Sequence, residues 1–364
     1  MENAKLSSKE AISFILILIL NTIVFSADKI IAQDISSAAL INSIYITILA
    51  LIITFVITVL YKNFVGYDIL DISETIGGKV LKIIIGIIYM LYFVLLSSII
   101  LRKISDCLQI IYYPMTNIVY IIVLFIIATG IICSFKNHGI FKANKIFSII
   151  LCFCLILIFL LNIQNYDFKN IFPILGDGIN STFTNGISNL FAFSGLAYLY
   201  FLPPSLQDPN KFKKIAITSI AISGFFLLIT MANVIFIYSH TFTNIEIFPL
   251  YICVKYIEFG TFLQRLDAIF LLFSIIAALL YISMSISVCL NIFKKTFSLS
   301  DSNPTLFPFL LTLMAITINI KPYTILGFLE NTVSKYLFFI IPIGISFTIL
   351  ITANILRRRK YVKK

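Results

Sequence analysis

The chain has 364 residues, 60% of them hydrophobic and only 12% charged, where a soluble domain averages roughly 45–50% and 25%. A soluble fold of this length has no core large enough for so much apolar surface, so lipid is the solvent that accommodates it. The net charge of +11 sits in short clusters between apolar runs and in the tail residues Arg357, Arg358, Arg359, Lys360, Lys363 and Lys364, a pattern that suits anionic lipid headgroups and speaks against nucleic acid as a partner.

About 20 apolar residues of helix cross the hydrocarbon. That criterion predicts an all-α membrane protein with ten transmembrane helices, at roughly 11–27, 39–61, 81–111, 117–135, 142–163, 182–203, 214–238, 262–293, 304–320 and 334–356. Lys5 and Lys9 ahead of the run Ala11–Ala27 give the start the look of a signal peptide, but the many later spans make it a retained first helix. Span 1 is interrupted by Asn21-Thr22 in its middle and Ser26-Ala27 near one end. Span 3 carries Ser97-Ser98, which either face a cavity or pack against a neighbouring helix. Span 6 carries Phe193-Ser194-Gly195 and then Pro203-Pro204. Two longer loops, Gln164–Ser181 and Ser239–Thr261, lie on one side, and Phe248-Pro249-Leu250-Tyr251 in the second reads as a turn followed by an interfacial helix. Arg265 and Asp267 open span 8, where an intramembrane ion pair is a functional candidate by default and a local structural clamp is the favoured reading. Further along it, Ser283, Ser285 and Ser287 are expected to bond backbone carbonyls, which leaves Tyr281 as the cavity residue.

With the N-terminus placed in the cytoplasm, 19 Lys and Arg fall inside and 8 outside, so both termini are predicted cytoplasmic. Acidic residues lean the other way: Asp28, Asp34, Asp167, Asp177, Glu246, Glu258 and Glu330 all fall outside. Residues 1–364 read as a single integral membrane domain with a first repeat at about 11–163, a second at about 182–356, and a basic cytoplasmic tail at 357–364.

In hydrocarbon every backbone polar group needs an internal partner, so unwound segments occur where they line a cavity. The interruptions in spans 1 and 6 occupy the first helix of each five-helix half, where inverted-repeat transporters place a midplane site. Close helix packing is the competing explanation, since Ser, Thr and Gly serve it equally well.

Catalytic machinery is missing. The sequence has no phosphate-binding loop, no metalloprotease motif and no nucleophile elbow, and no acidic residue near the middle of a predicted helix. Cys107, Cys133, Cys152, Cys154, Cys253 and Cys289 have no paired spacing and read as packing residues. His138 and His240 are too far apart for a familiar zinc motif. Neither enzymatic activity nor a cofactor or metal is expected.

Several stretches together resemble the spore germination permease family, the B-type membrane subunits of nutrient germinant receptors. They are Lys5-Leu6-Ser7-Ser8-Lys9-Glu10 running into span 1; Gly77-Gly78-Lys79 ahead of Tyr89, Tyr92 and Phe93; and Phe193-Ser194-Gly195 followed by Phe201-Leu202-Pro203. Phe248-Pro249, Phe262 with Gln264-Arg265-Leu266-Asp267-Ala268-Ile269-Phe270, and Phe293-Lys294-Lys295-Thr296-Phe297 complete the set. The resemblance covers nearly the whole chain, in order. It implies membership of the amino acid–polyamine–organocation superfamily, with an inverted five-helix repeat and a small nutrient, such as an amino acid, held between spans 1, 3, 6 and 8. By position, the implied ligand-binding residues are Asn21, Thr22, Phe25, Leu96, Ser97, Ser194, Gly195 and Tyr281. Two departures stand out. Members often have glycine where this chain has Val24-Phe25-Ser26-Ala27, and an acidic residue where it has Ala197; Phe25 reshapes the pocket and Ala197 removes a partner for a cationic group.

The function this resemblance implies is a nutrient-sensing subunit in the spore inner membrane, with A-type and C-type receptor subunits as partners. An amino-acid permease and a ligand-free scaffold of the receptor complex are the alternatives. The sequence leaves them open because fold does not fix function.

Overall fold

The computed structural model describes residues 5–135, 137–238, 248–257, 266–299, 305–320 and 323–362. The chain is all-helical, and the one β-type contact among the described residues is a bridge between Leu6 and Leu206. It ties the segment before the first helix to the segment after Pro203-Pro204, through Leu6 N–H on Ser205 O at 2.7 Å and Gln207 N–H on Leu6 O at 3.0 Å.

Helix α1 (Ser8–Thr22) starts at a capping box. The Ser7 hydroxyl accepts from Glu10 N–H, and the Glu10 carboxylate returns to Ser7 N–H at 2.9 Å, so two orphan donors at the helix start are satisfied. The helix then widens into a π turn at Ile23–Ala27 before continuing as α2 (Asp28–Ile35). Helix α3 (Ala39–Tyr61) follows a tight turn. Helix α4 (Ile69–Ile111) opens on an Asp68–Asp71 capping box and is broken at Gly78, whose φ of +67° and ψ of −163° only glycine adopts readily. The break separates an amphipathic stretch at 69–77 from the long span predicted to begin near 81. Helices α5 (Ile118–Ser134) and α6 (Asn137–Leu161) complete the first half.

The second half begins with a π turn at Asn180–Thr184 and a tightly wound helix, Asn185–Phe201, bent where Phe193 leaves helical geometry (φ −95°, ψ 28°). Helices α7 (Phe212–Ile237), α8 (Pro249–Lys255), α9 (Leu266–Thr296) and α10 (Leu306–Asn319) follow. The predicted interfacial helix after Phe248-Pro249 corresponds to α8. The C-terminal helix runs as α11 (Tyr323–Phe328), α12 (Lys335–Phe338) and α13 (Ser346–Val362), joined by π turns at Leu329–Ser334 and Phe339–Ile345. It therefore begins eleven residues before the predicted 334, because Glu330 and Lys335 depress the hydropathy of its first turns and are buried there as ion-paired groups.

Among the described residues, six helical stretches are long and apolar enough to cross a membrane, and α5 and α10 are shorter apolar helices. Membrane-facing positions are apolar and exposed, among them Leu91, Tyr120, Leu124, Ile149 and Phe153, as hydrocarbon requires. Helix α1 is the opposite case: Ile15, Ile17, Leu18, Ile19 and Leu20 are fully buried on every side, which marks a central helix. It packs against α6, α7, α9 and the bent helix, while α3 lies along α7 and α9 along α4.

Candidate functional site

The two interrupted helices meet at the centre of the bundle. Thr22, the last residue before the π turn, places its hydroxyl 3.2 Å from that of Ser194, the first residue after the bend at Phe193. The predicted interruptions therefore coincide with real irregularities and touch each other. The π turn nevertheless keeps the first helix bonded: Ile23 N–H reaches Ile19 O and Leu20 O, and Asp28 N–H reaches Ile23 O. Span 1 is widened rather than unwound, with no free half-helix N-terminus at Asn21.

Asn21 is the most informative side chain. Its amide nitrogen donates to Ile17 O at 2.9 Å and across to Ala277 O of α9 at 3.2 Å. Its carbonyl oxygen is buried with no hydrogen-bond partner among the described residues. An acceptor left so is costly in an apolar interior, and it asks for a donor. The Tyr92 hydroxyl, from α4, is likewise buried and unmatched.

Below this level lies a chain of hydroxyls. Ser97 Oγ lies 2.8 Å from Phe93 O and 2.7 Å from Ser285 Oγ, within hydrogen-bond reach of both, and Tyr198 of the bent helix donates to the same Ser285 oxygen at 2.8 Å. Ser283 and Ser287 bond the carbonyls one turn back at 2.7 and 2.8 Å, as expected, and Ser285 bonds the Phe93 carbonyl of α4 at 3.4 Å, so that it links α4 to the bent helix. Tyr281 is also fully buried, at 1% exposure. The Tyr198 ring stacks on Phe93 with centroids 4.0 Å apart and planes at 14°.

Phe25 and Leu96 are buried, at 6% and 7% exposure, and contribute apolar surface. Gly195 has a packing reason: a Cβ there would stand 2.5 Å from Ile19 Cγ1 and 3.2 Å from Ile19 N. Glycine lets the bent helix approach α1 backbone to side chain. Gly186 allows the same close approach to Asn42, whose amide nitrogen donates to Thr182 O at 2.8 Å and Gly186 O at 3.1 Å and so holds the start of the bent helix and the π turn before it on α3.

Toward the end that carries the N-terminus, a cavity of about 570 Å³ opens between Phe14, Phe201, Asn291, Asp68 and Lys295, with Tyr198 at its floor. Lys295 pairs with Asp68 at 2.7 Å and Asp71 at 2.6 Å on its rim. Tyr198 lines this cavity and lies four residues from Ser194 along the bent helix. The opposite end carries paired charged groups. Glu330 accepts from Ser26 at 2.6 Å and pairs with Lys103 at 3.0 Å, both members of the ion pair being almost fully buried. Asp28, also buried, accepts from Leu250 N–H of α8 at 3.3 Å, and Tyr251 donates to Asp267 at 2.9 Å. Arg265 of the expected clamp lies outside the described residues.

Sequence reasoning missed this outer network, because Asp28 and Glu330 read as loop residues outside the spans. The usable signal was Lys103, six residues past Ser97 within the third predicted span, since a charge at that depth demands a partner. Tyr198 and Ser285 were missed as site residues because nothing in their local sequence separates them from helix packing. Among the described residues, no cluster of three or more His, Cys, Asp or Glu could hold a metal ion.

Comparison with known proteins gives the same architecture. The sialic acid symporter solved in a substrate-bound, outward-open, Na+-coupled state superposes with a TM-score of 0.67 at 15% identity, over 94% of this chain and 80% of that one. MhsT in complex with L-phenylalanine gives 0.59 at 14% identity, over 93% and 98%, and inward-facing Mhp1 gives 0.62 at 13%, over 98% and 79%. At such identities the likeness shows the fold, that of integral membrane transporters. Among curated proteins, spore germination protein B2 of Bacillus subtilis (strain 168) is 25% identical over 62% of this chain, and the match spans 60% of that relative's length. Spore germination protein KB of the same organism is 24% identical over 71% of this chain and 70% of its own. The family described as spore germination protein matches residues 5–325, and this integral membrane protein belongs to it.

Proposed function

We propose that the protein is the nutrient-sensing membrane subunit of a spore germinant receptor, resident in the spore inner membrane. A small molecule such as an amino acid is held between α1, α4, the bent helix and α9, with Asn21, Thr22, Phe25, Leu96, Ser97, Ser194, Gly195 and Tyr281 around it. Ten spans in two five-helix repeats, with both termini cytoplasmic, are part of this reading, as are A-type and C-type subunits as the partners that receive the signal. The observation that carries it is the meeting of two interrupted helices at Thr22–Ser194 beside the unpartnered Asn21 carbonyl. A ligand N–H or O–H supplied there would satisfy a buried acceptor, and its binding free energy would favour whichever conformation presents that oxygen.

A carrier role is the second reading, and the cavity leading up to Tyr198 favours it, because a substrate that crosses needs such a path. Two measurements separate the readings. Spores lacking the gene should lose the response to one or a few nutrients while keeping the rest, and purified protein in liposomes should show no saturable uptake of those nutrients. An unchanged response to every nutrient overturns the receptor reading, and saturable uptake supports the carrier. Normal germination after bulky substitutions throughout the site supports a ligand-free scaffold.

A further inference from the structure

The C-terminal helix touches the candidate site's two irregular helices at its own irregular turns. Glu330 lies in the π turn Leu329–Ser334, and its carboxylate accepts from Ser26 in the π turn Ile23–Ala27 at 2.6 Å. Pro342 lies in the π turn Phe339–Ile345, and its carbonyl accepts from Tyr200, at the end of the bent helix, at 2.6 Å. Helix α4 holds the same helix at both levels, through Lys103 on Glu330 at 3.0 Å and Tyr89 on Ser346. Lys335 adds an ion pair to Asp34 of α2. A π turn closes i→i+5 hydrogen bonds in place of the regular i→i+4 set, an irregularity frequent at functional sites.

We propose that the buried Ser26–Glu330–Lys103 network is a latch that transmits the state of the Thr22–Ser194 level to the C-terminal helix. Ser26 is one turn from Thr22, so any change in winding at Thr22 moves the Ser26 hydroxyl relative to Glu330. The latch lies at the end of the bundle away from the cavity: Ser26 is twelve residues from Phe14, which lines it, about 18 Å along a helix. Breaking it leaves a buried charge without its partner, which disfavours the closed arrangement strongly, and the opening this favours would release α8, which Asp28 and Asp267 otherwise hold through Leu250 and Tyr251. The inference deepens the ligand reading and takes its trigger from it, but its test needs no ligand, so the absence of any nutrient response does not decide it.

Cys107 is the reporter. It is buried at 2% exposure and lies one turn beyond Lys103 on α4. The full chain, with its other five cysteines replaced by alanine, is placed in lipid nanodiscs and treated with a membrane-impermeant maleimide. Glu330→Gln should raise the Cys107 labelling rate at least roughly tenfold. Ser26→Ala should raise it less and in the same direction; because it removes only a hydroxyl, it carries the test if the charge change impairs folding. Thr22→Val should raise labelling in the otherwise native chain and add nothing on the Glu330→Gln background. Labelling unchanged by both latch substitutions, or a Thr22→Val effect of equal size on both backgrounds, overturns the proposal.

Discussion

Gly195 sits where a ligand-binding reading and a packing reading make opposite predictions. A Cβ at 195 meets Ile19 Cγ1 at 2.5 Å and comes within 3.2 Å of the Ile19 backbone nitrogen. The first contact has to be relieved by moving the bent helix or the Ile19 side chain, and both are fully buried. Overpacking of this kind costs about 1–3 kcal/mol, so Gly195→Ala should lower the apparent melting temperature by a few degrees. Ile19→Ala alone costs about 2–5 kcal/mol by leaving a cavity, but it also removes the Cγ1 atom that clashes. The double substitution should therefore be more stable than the sum of the singles implies, by at least about 1 kcal/mol. The assay is a double-mutant cycle on purified protein in detergent, read by thermal unfolding. Strict additivity would refute the claim that Gly195 is glycine because of Ile19, and would return it to a role in ligand access.

Asn21→Leu removes the unpartnered acceptor together with two donor contacts, so thermal stability should change by less than about 1 kcal/mol while the nutrient response is lost. Tyr198→Phe keeps the stack on Phe93 but drops the bond to Ser285, and should cost about 0.5–1.5 kcal/mol in unfolding assays. The same substitution should speed thiol labelling of a cysteine placed at Ser97 from the cavity side. Gly78→Ala should cost about 1–3 kcal/mol through strain alone, because no heavy atom lies within 4 Å of the added carbon; circular dichroism melts would detect it.

Much of the fold was legible because hydropathy reports length and burial in lipid directly. The spans near 39–61, 142–163 and 214–238 match α3, α6 and α7 within a few residues at most boundaries. The start of the C-terminal helix was not legible, because Glu330 and Lys335 look like loop residues until Lys103 and Asp34 are known to pair with them, and such pairing is a tertiary fact. The interruptions at Asn21-Thr22 and Ser194-Gly195 were legible as polar or small residues in apolar runs. Their character was not: a π turn and an unwound segment have the same composition and differ only in where their N–H groups go. Ser285 shows the same limit, because Ser283, Ser285 and Ser287 look alike in sequence and only the approach of Ser97 and Tyr198 sets one apart.

The most direct test of the central claim is the germination of spores in which Asn21→Leu replaces the native residue and this receptor is the only one present, assayed against a panel of single nutrients. The account predicts loss of the response that the native protein supports, with normal amounts of protein in the membrane. A native response from these spores would contradict it, and would move the ligand away from the meeting point of the two interrupted helices.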